Sequence, residues 1–231
     1  MKTVVIITAG GSGKRMNNSQ KKQFMQIKGK SILAHTIEKF INNSDIDDIV
    51  ISLPEAEIDS VKVELEENFP LANLIFAKGG KERQNSVFNA LKKCPSDTDF
   101  VMIHDGVRPF ISSEDISRLL NKAKKYKAVI PVFKVKNTIK QVKAGKVVRT
   151  IPRDNLVNVL TPQVFEYQLI FNCTKTALEN EVLFTDDSSI MEYYDYPVYV
   201  LECGSENFKI TDPFDYELAK MIIENNGEDK K

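Results

Sequence analysis

Short β-branched runs alternate with longer amphipathic stretches over the first 130 residues. Val4–Ile7, Ile49–Leu53, Leu74–Phe76, Phe100–Ile103 and Val129–Val132 are apolar, short and bounded by polar or turn residues, which predicts strands buried on both faces. Between them, residues 31–42, 56–68, 82–93 and 113–126 predict helices. In the last of these, Ile116, Leu119, Leu120 and Ala123 recur at helical spacing, and Ser112-Ser113-Glu114-Asp115 supplies a capping, acidic start. Alternation of this kind predicts an α/β fold with a mostly parallel twisted sheet flanked by helices.

The pattern changes at residues 134–151, where apolar and polar residues alternate on both sides of Lys143-Ala144-Gly145-Lys146. That is a hairpin signal outside the strand–helix alternation, and it predicts a projecting arm. A helix near 164–180, a strand near 197–202 and a last helix near 213–225 follow, before a polar tail, Asn225–Lys231. No repeat, low-complexity tract or Gly/Ser-rich linker divides the chain, so residues 1–231 are expected to form a single domain.

Composition narrows the chemistry. In 231 residues, 32 Lys+Arg balance 32 Asp+Glu, a net charge of zero that disfavours a coat for nucleic acid or anionic membrane. Apolar runs of about four residues fall far short of a membrane span. Met1-Lys2-Thr3 enters such a run without a secretory hydrophobic region, so a cytoplasmic location is expected. Cys94, Cys173 and Cys203 are scattered and form no C-x-x-C pair, which suits buried free thiols. With only His35 and His104, a multi-histidine zinc site is excluded. A Ser/His/Asp triad would have to use His104, and no G-x-S-x-G elbow accompanies it.

The strongest chemical signal is the loop after the first strand, Thr8-Ala9-Gly10-Gly11-Ser12-Gly13-Lys14-Arg15-Met16. Glycines let backbone N–H groups turn toward an anion, and cations neutralise phosphate charge. A P-loop fails at both ends, because its first glycine falls on Thr8 and its Ser/Thr on Arg15; a dinucleotide fingerprint would need its third glycine at Met16. Lys14, Arg15, Lys21 and Lys22 repel one another unless something anionic sits among them, which disfavours a plain tight turn.

This loop, with Lys22-Gln23 beginning seven residues after Arg15, resembles the signature of sugar-phosphate nucleotidyltransferases, in particular the cytidylyltransferases acting on 2-C-methyl-D-erythritol 4-phosphate. The resemblance continues through Gly79-Gly80-Lys81-Glu82-Arg83-Gln84-Asn85-Ser86-Val87, His104-Asp105-Gly106-Val107-Arg108-Pro109, Lys136–Lys140 and Pro152-Arg153. It ends with Leu160-Thr161-Pro162-Gln163, Thr185–Ser189 and Asn207–Thr211, so the blocks span almost the whole chain in the family's order.

The resemblance implies a Rossmann-like nucleotidyltransferase fold and transfer of CMP from CTP to a polyol phosphate, with release of pyrophosphate. Arg15 and Lys22 would be the catalytic cations, and amides around Ala9, Gly10, Gly11 and Gly13 would cradle the triphosphate. Gly80, Lys81 and Ser86 would sit at the cytosine, Asp105 would hold Mg²⁺, and Gly106 and Lys209 would complete the nucleotide site. Arg108, Thr138, Arg153 and Thr185 would meet the acceptor, and an arm at about 134–160 would pair two subunits into a homodimer. Departures occur at Lys81, where Asp or Ala is common, at Gly106 and Val107, each in place of Ala, and at Phe208, in place of Ile. The Val107-Arg108-Pro109-Phe110 form also occurs in ribitol 5-phosphate cytidylyltransferases, whereas Lys140 and Thr185-Asp186-Asp187 match the methylerythritol enzymes more closely. Ribitol 5-phosphate is therefore the alternative acceptor. A non-catalytic nucleotide-binding module is a third reading, disfavoured because such a module has no need of the acceptor-side Arg153.

Overall fold

The computed structural model describes residues 1–10 and 21–225. Strand β1 (Lys2–Thr8) is followed by a small hairpin of β2 (Gln26–Ile27) and β3 (Lys30–Ser31), then α1 (Ile32–Ile41), β4 (Asp48–Leu53), α2 (Ile58–Asn68), β5 (Leu74–Lys78) and α3 (Arg83–Leu91). Next come β6 (Thr98–Asp105), α4 (Ser113–Tyr126) and β7 (Ala128–Lys134). The second half carries β8 (Ile139–Lys143), β9 (Lys146–Ile151), β10 (Val157–Val159), β11 (Gln163–Glu166), α5 (Tyr167–Glu179), α6 (Asp187–Tyr193), β12 (Tyr199–Glu202) and α7 (Pro213–Asn225).

The main sheet has parallel strands β6, β1, β4 and β5 in that order. Strand β11 runs antiparallel between β6 and β7, with β10 beyond it on the same edge of β7, and β12 joins the other edge in parallel. The mostly parallel expectation therefore holds, with two antiparallel insertions. Alternation along β1 divides the core: Val5 and Ile7 pack with α1 and α4, while Val4 and Ile6 pack with α3, α5 and α6. All four side chains are fully buried, as strands covered on both faces require.

Local signals set the helix ends. The Ser31 and Ser112 hydroxyls accept from the backbone N–H groups of Ala34 and Asp115, capping α1 and α4. Helix α4 occupies the predicted 113–126 and ends on Lys127 in the left-handed region, φ 67°. The arm hairpin β8–β9 forms its own two-stranded sheet, turning through Ala144 and Gly145 at φ 48° and 76°. Consecutive left-handed residues give the turn whose twist matches a hairpin.

The expected helix near 164–180 begins later, at Tyr167, and 163–166 is strand β11. The adjacent apolar pair Val164-Phe165 suits either a helix or a two-sided strand. Pairing with β6 decides it, sending Val164 into one core and Phe165 into the other. The hairpin β2–β3, β10 and α6 were not expected either. Among the described residues no helix is long and apolar enough to cross a membrane.

Because Phe165 is fully buried, Phe165→Ala is expected to cost about 3–5 kcal/mol in urea unfolding. A loss below about 1 kcal/mol would show that this strand is not part of the core.

Candidate functional site

The loops leaving the carboxyl ends of the parallel strands are tied to one another. Gly106 N donates to Thr8 O (2.9 Å), Ala9 N to Ser52 O (2.9 Å) and Gly79 N to Leu53 O (2.6 Å). These bonds gather the ends of β1, β4, β5 and β6 at one edge, where open α/β sheets collect ligands. At Gly106 there is little spare room: a Cβ would lie 3.0 Å from Leu33 Cδ1 and 3.1 Å from Thr8 O.

The turn before α3 faces the first loop. Gly80 N donates to Ser86 Oγ (2.9 Å), and Ser86 Oγ donates to Glu82 O (3.2 Å). Glu82 and Asn85 close a reciprocal capping box at the helix start. A Cβ on Gly80 would fall 2.2 Å from Asn85 Cβ, so this turn closes only around glycine; one on Gly10 would meet Ser86 Oγ at a comfortable 3.7 Å. Gln23 Nε2 donates to Ala9 O (2.7 Å), joining the short 3₁₀ turn Lys22–Phe24 to the first loop, and Lys22 in that turn is buried. Lys81 is exposed.

Asp105, the last residue of β6, is the electrostatic centre. Its Oδ2 lies 3.0 Å from both Arg108 Nε and Lys209 Nζ, and its Oδ1 lies 3.9 Å from Arg83 Nε. Burial alone would raise the Asp105 pKa, but the charges of Lys209, Arg83 and Arg108 outweigh it and hold the carboxyl well below the usual range. Arg83 also pairs with the buried Asp187 (Nη2–Oδ2, 2.6 Å), and Arg108 Nη1 donates to Asn207 O (3.0 Å). Three cations thus converge on Asp105, with Asp187 and, at longer range, Asp186 also acting on Arg83, beside two glycine turns. Cations clustered at the loop ends of a parallel sheet suit an anionic ligand.

Beneath Asp105, His104 is fully buried between Arg108 O (Nε2, 3.0 Å) and Thr161 Oγ1 (Nδ1, 2.9 Å). Burial lowers its pKa to about 4, so it is neutral at physiological pH. A neutral, enclosed imidazole in this position packs and orients; it carries no charge to a substrate.

Of the residues expected from the sequence, Gly10, Gly80 and Ser86 meet on one side, and Asp105, Gly106, Arg108 and Lys209 on the other. Ala9 and Lys22 lie by the first loop. Thr138 and Arg153 are exposed on the arm, where Arg153 donates to Lys136 O. Thr185 is exposed, two residues before the Asp187 that pairs with Arg83. Arg15, Gly11 and Gly13 lie outside the described residues. Arg83 and Asp187 were not singled out from sequence; both stand inside quoted motif blocks, but 104 residues separate them and only the fold reveals the pair. Among the described residues no three His, Cys, Asp or Glu gather as a metal cluster.

The profile of the IspD family, 2-C-methyl-D-erythritol 4-phosphate cytidylyltransferase, matches residues 3–225. The chain is 42% identical over 219 residues to the 2-C-methyl-D-erythritol 4-phosphate cytidylyltransferase of Clostridioides difficile, covering 95% of this chain and 92% of that one. Among solved structures it is similar to the 4-diphosphocytidyl-2C-methyl-D-erythritol synthase of Anaerococcus prevotii (31% identity, TM-score 0.86, 96% and 98% of the two chains). It also resembles the Francisella tularensis 2-C-methyl-D-erythritol 4-phosphate cytidylyltransferase (30% identity, TM-score 0.82, 96% and 99%).

The two glycine turns respond differently to a methyl group. Gly80→Ala is expected to cost about 1–3 kcal/mol in denaturant unfolding, because the turn must move to admit it. Gly10→Ala, which among the described residues meets only ordinary van der Waals contact, is expected to stay within about 0.5 kcal/mol of wild type. Equal effects at the two positions would contradict this geometry.

Proposed function

The chain belongs to the 2-C-methyl-D-erythritol 4-phosphate cytidylyltransferase family, and from that premise we propose that it transfers CMP from CTP to 2-C-methyl-D-erythritol 4-phosphate. The products are 4-diphosphocytidyl-2-C-methyl-D-erythritol, an isoprenoid precursor, and pyrophosphate. The observation that carries the reading is the cation cluster around Asp105 beside two glycine turns, in a chain with this membership.

In this reaction a phosphate oxygen of the acceptor bonds to the α-phosphorus of CTP. The bond from that phosphorus to the oxygen bridging toward the β-phosphorus breaks, and its electron pair leaves with pyrophosphate. An ionised phosphate is already a nucleophile, so no general base is needed; the barrier falls through alignment and through cations that offset charge on the α-phosphoryl oxygens. We assign that charge stabilisation to Lys22 and Arg15, and the cradle for the triphosphate to the amides of Ala9, Gly10, Gly11 and Gly13. Gly80, Lys81 and Ser86 take the cytosine, supported by the constrained turn that presents them. Gly106 and Lys209 complete the nucleotide side, and Arg108 reaches toward the acceptor.

Mg²⁺ fits the donor set through Asp105. The carboxylate is held ionised, and among the described residues the nearest cation to Oδ1 lies 3.9 Å away. One protein carboxylate plus substrate phosphates is a common way to hold this ion. When bound, it would supply further positive charge to the CTP phosphates.

The assembly we propose is a cytoplasmic homodimer of single-domain subunits joined through arms at about 134–160. Val142, Val147 and Val148 on the arm are all more than half exposed (57%, 62% and 56%), and a lone hairpin is marginal in water. Thr138 and Arg153, exposed on the same arm, would then serve the partner's site, joining the Thr185 that belongs to that site's own chain in holding the acceptor phosphate.

Two experiments test this function. Offered CTP, Mg²⁺ and either acceptor, the enzyme is expected to turn over methylerythritol phosphate at least about tenfold faster than ribitol phosphate, equivalent to ~1.4 kcal/mol of discrimination. Preference for ribitol phosphate would overturn the acceptor assignment. Lys22→Ala and Arg153→Ala are each expected to be nearly inactive, yet refolding them together makes about half the dimers mixed, each with one intact site. Roughly a quarter of wild-type activity should return if the sites are independent. No recovery in confirmed mixed dimers, or a monomer by light scattering, would contradict the shared site.

A further inference from the structure

The Leu160-Thr161-Pro162-Gln163 block has no part in the chemistry above, yet Thr161 lies at the centre of the bonds beneath the cation cluster. We propose that Thr161 is a positioning residue for the transfer reaction, holding the Asp105–Arg108 loop and the Asn207–Lys209 segment in fixed relation to each other. The inference rests on the cytidylyltransferase reading of the site.

Hydrogen-bond chemistry fixes which group does what. Arg108 O can only accept, so His104 Nε2, 3.0 Å away, carries the proton. The lone pair on Nδ1 then faces Thr161 Oγ1 at 2.9 Å, and the threonine hydroxyl must donate to it. The same oxygen accepts from the backbone N–H of Asp105 at 3.2 Å. Thr161 Oγ1 is thus donor and acceptor at once, a role that no aliphatic side chain of its shape can fill.

The backbone of Thr161 closes the circuit. Its carbonyl accepts from Asn207 Nδ2 (2.7 Å), and the carbonyl of Asn207 accepts from Arg108 Nη1 (3.0 Å). From Thr161 the bonds run through His104 to the Arg108 backbone, along the Arg108 side chain to Asn207, and back to Thr161. Asp105 is attached by its amide, and Lys209 follows Asn207 by two residues. Thr161, His104 and Asn207 are all buried, so water cannot take over a lost bond, and the cost appears as misplacement of the charged groups above. Displacement by a fraction of an ångström is enough to slow a reaction that depends on alignment.

The hydroxyl separates this role from mere filling of space. Thr161→Val keeps the shape and removes the donor and acceptor; Thr161→Ser keeps both. With CTP, Mg²⁺ and methylerythritol phosphate, Thr161→Val is expected to lower kcat by about 10- to 100-fold while KM for CTP changes less than about threefold. Thr161→Ser should stay within about threefold of wild type in kcat. If Thr161→Val fails to fold, Thr161→Cys takes its place, its weak S–H expected to lower kcat by at least about threefold. Unchanged kcat in the Val or Cys variant, a rise in KM alone, or a Ser variant as impaired as Val would each overturn the positioning role. A wild-type enzyme that releases no pyrophosphate from CTP and the acceptor would instead overturn the reading beneath it.

Discussion

A single buried carboxylate lets three cations share one corner of the sheet. Arg83, Arg108 and Lys209 approach Asp105 from the start of α3, from the loop after β6 and from the segment before α7. Without the carboxylate the largely buried Arg108 would lose its ion-pair partner, and an uncompensated buried charge costs about 3–5 kcal/mol. With it, each arginine also reaches a second partner, Arg83 to Asp187 and Arg108 to Asn207 O. Segments from both halves of the chain are thereby fixed around one point, where Arg83, Arg108 and Lys209 are presented together.

The sheet determines where that point lies. Parallel strands β1, β4, β5 and β6 deliver their loops to one edge, and the bonds from Gly106 to Thr8, Ala9 to Ser52 and Gly79 to Leu53 keep those loops in register. Close approach then requires small residues, most plainly Gly80, whose missing Cβ lets the turn fold onto Asn85. Overall neutrality, 32 cations against 32 anions, thus conceals a local clustering of cations that arises only when distant residues meet. Local charge is what a phosphate group encounters, since fields from remote surface charges are screened within about 10 Å.

Elements with strong periodicity were legible in the sequence. Helix α4 spans the predicted residues, the five strands appear where apolar runs stand, and the alternation around Ala144-Gly145 is the arm hairpin; only β5, expected buried, lies at the sheet edge with Leu74, Ile75 and Phe76 half-buried. Strand β11 was not legible, because Val164-Phe165 satisfies helix and strand patterns equally until β6 and β7 lie on either side of it. The seven-residue α6 is too short to show a period, although Asp186 caps it by accepting from Ser189 N. In the site, Asp105, Arg108 and Lys209 stand in motifs that a reader of sequence can pick out. The Arg83–Asp187 pair and the Thr161–His104 contact cannot be found that way, because their partners are joined by topology rather than by spacing.

Asp105 is ionised despite its burial because three cations surround it. Following the side-chain carboxyl carbon of Asp105 by NMR during an acid titration of the ligand-free protein tests this directly. The resonance is expected to keep its ionised position down to pH ~3, below the ordinary aspartate value of about 3.9. A midpoint at or above about 4 would mean that burial outweighs the cations, and would contradict the electrostatic basis of the site.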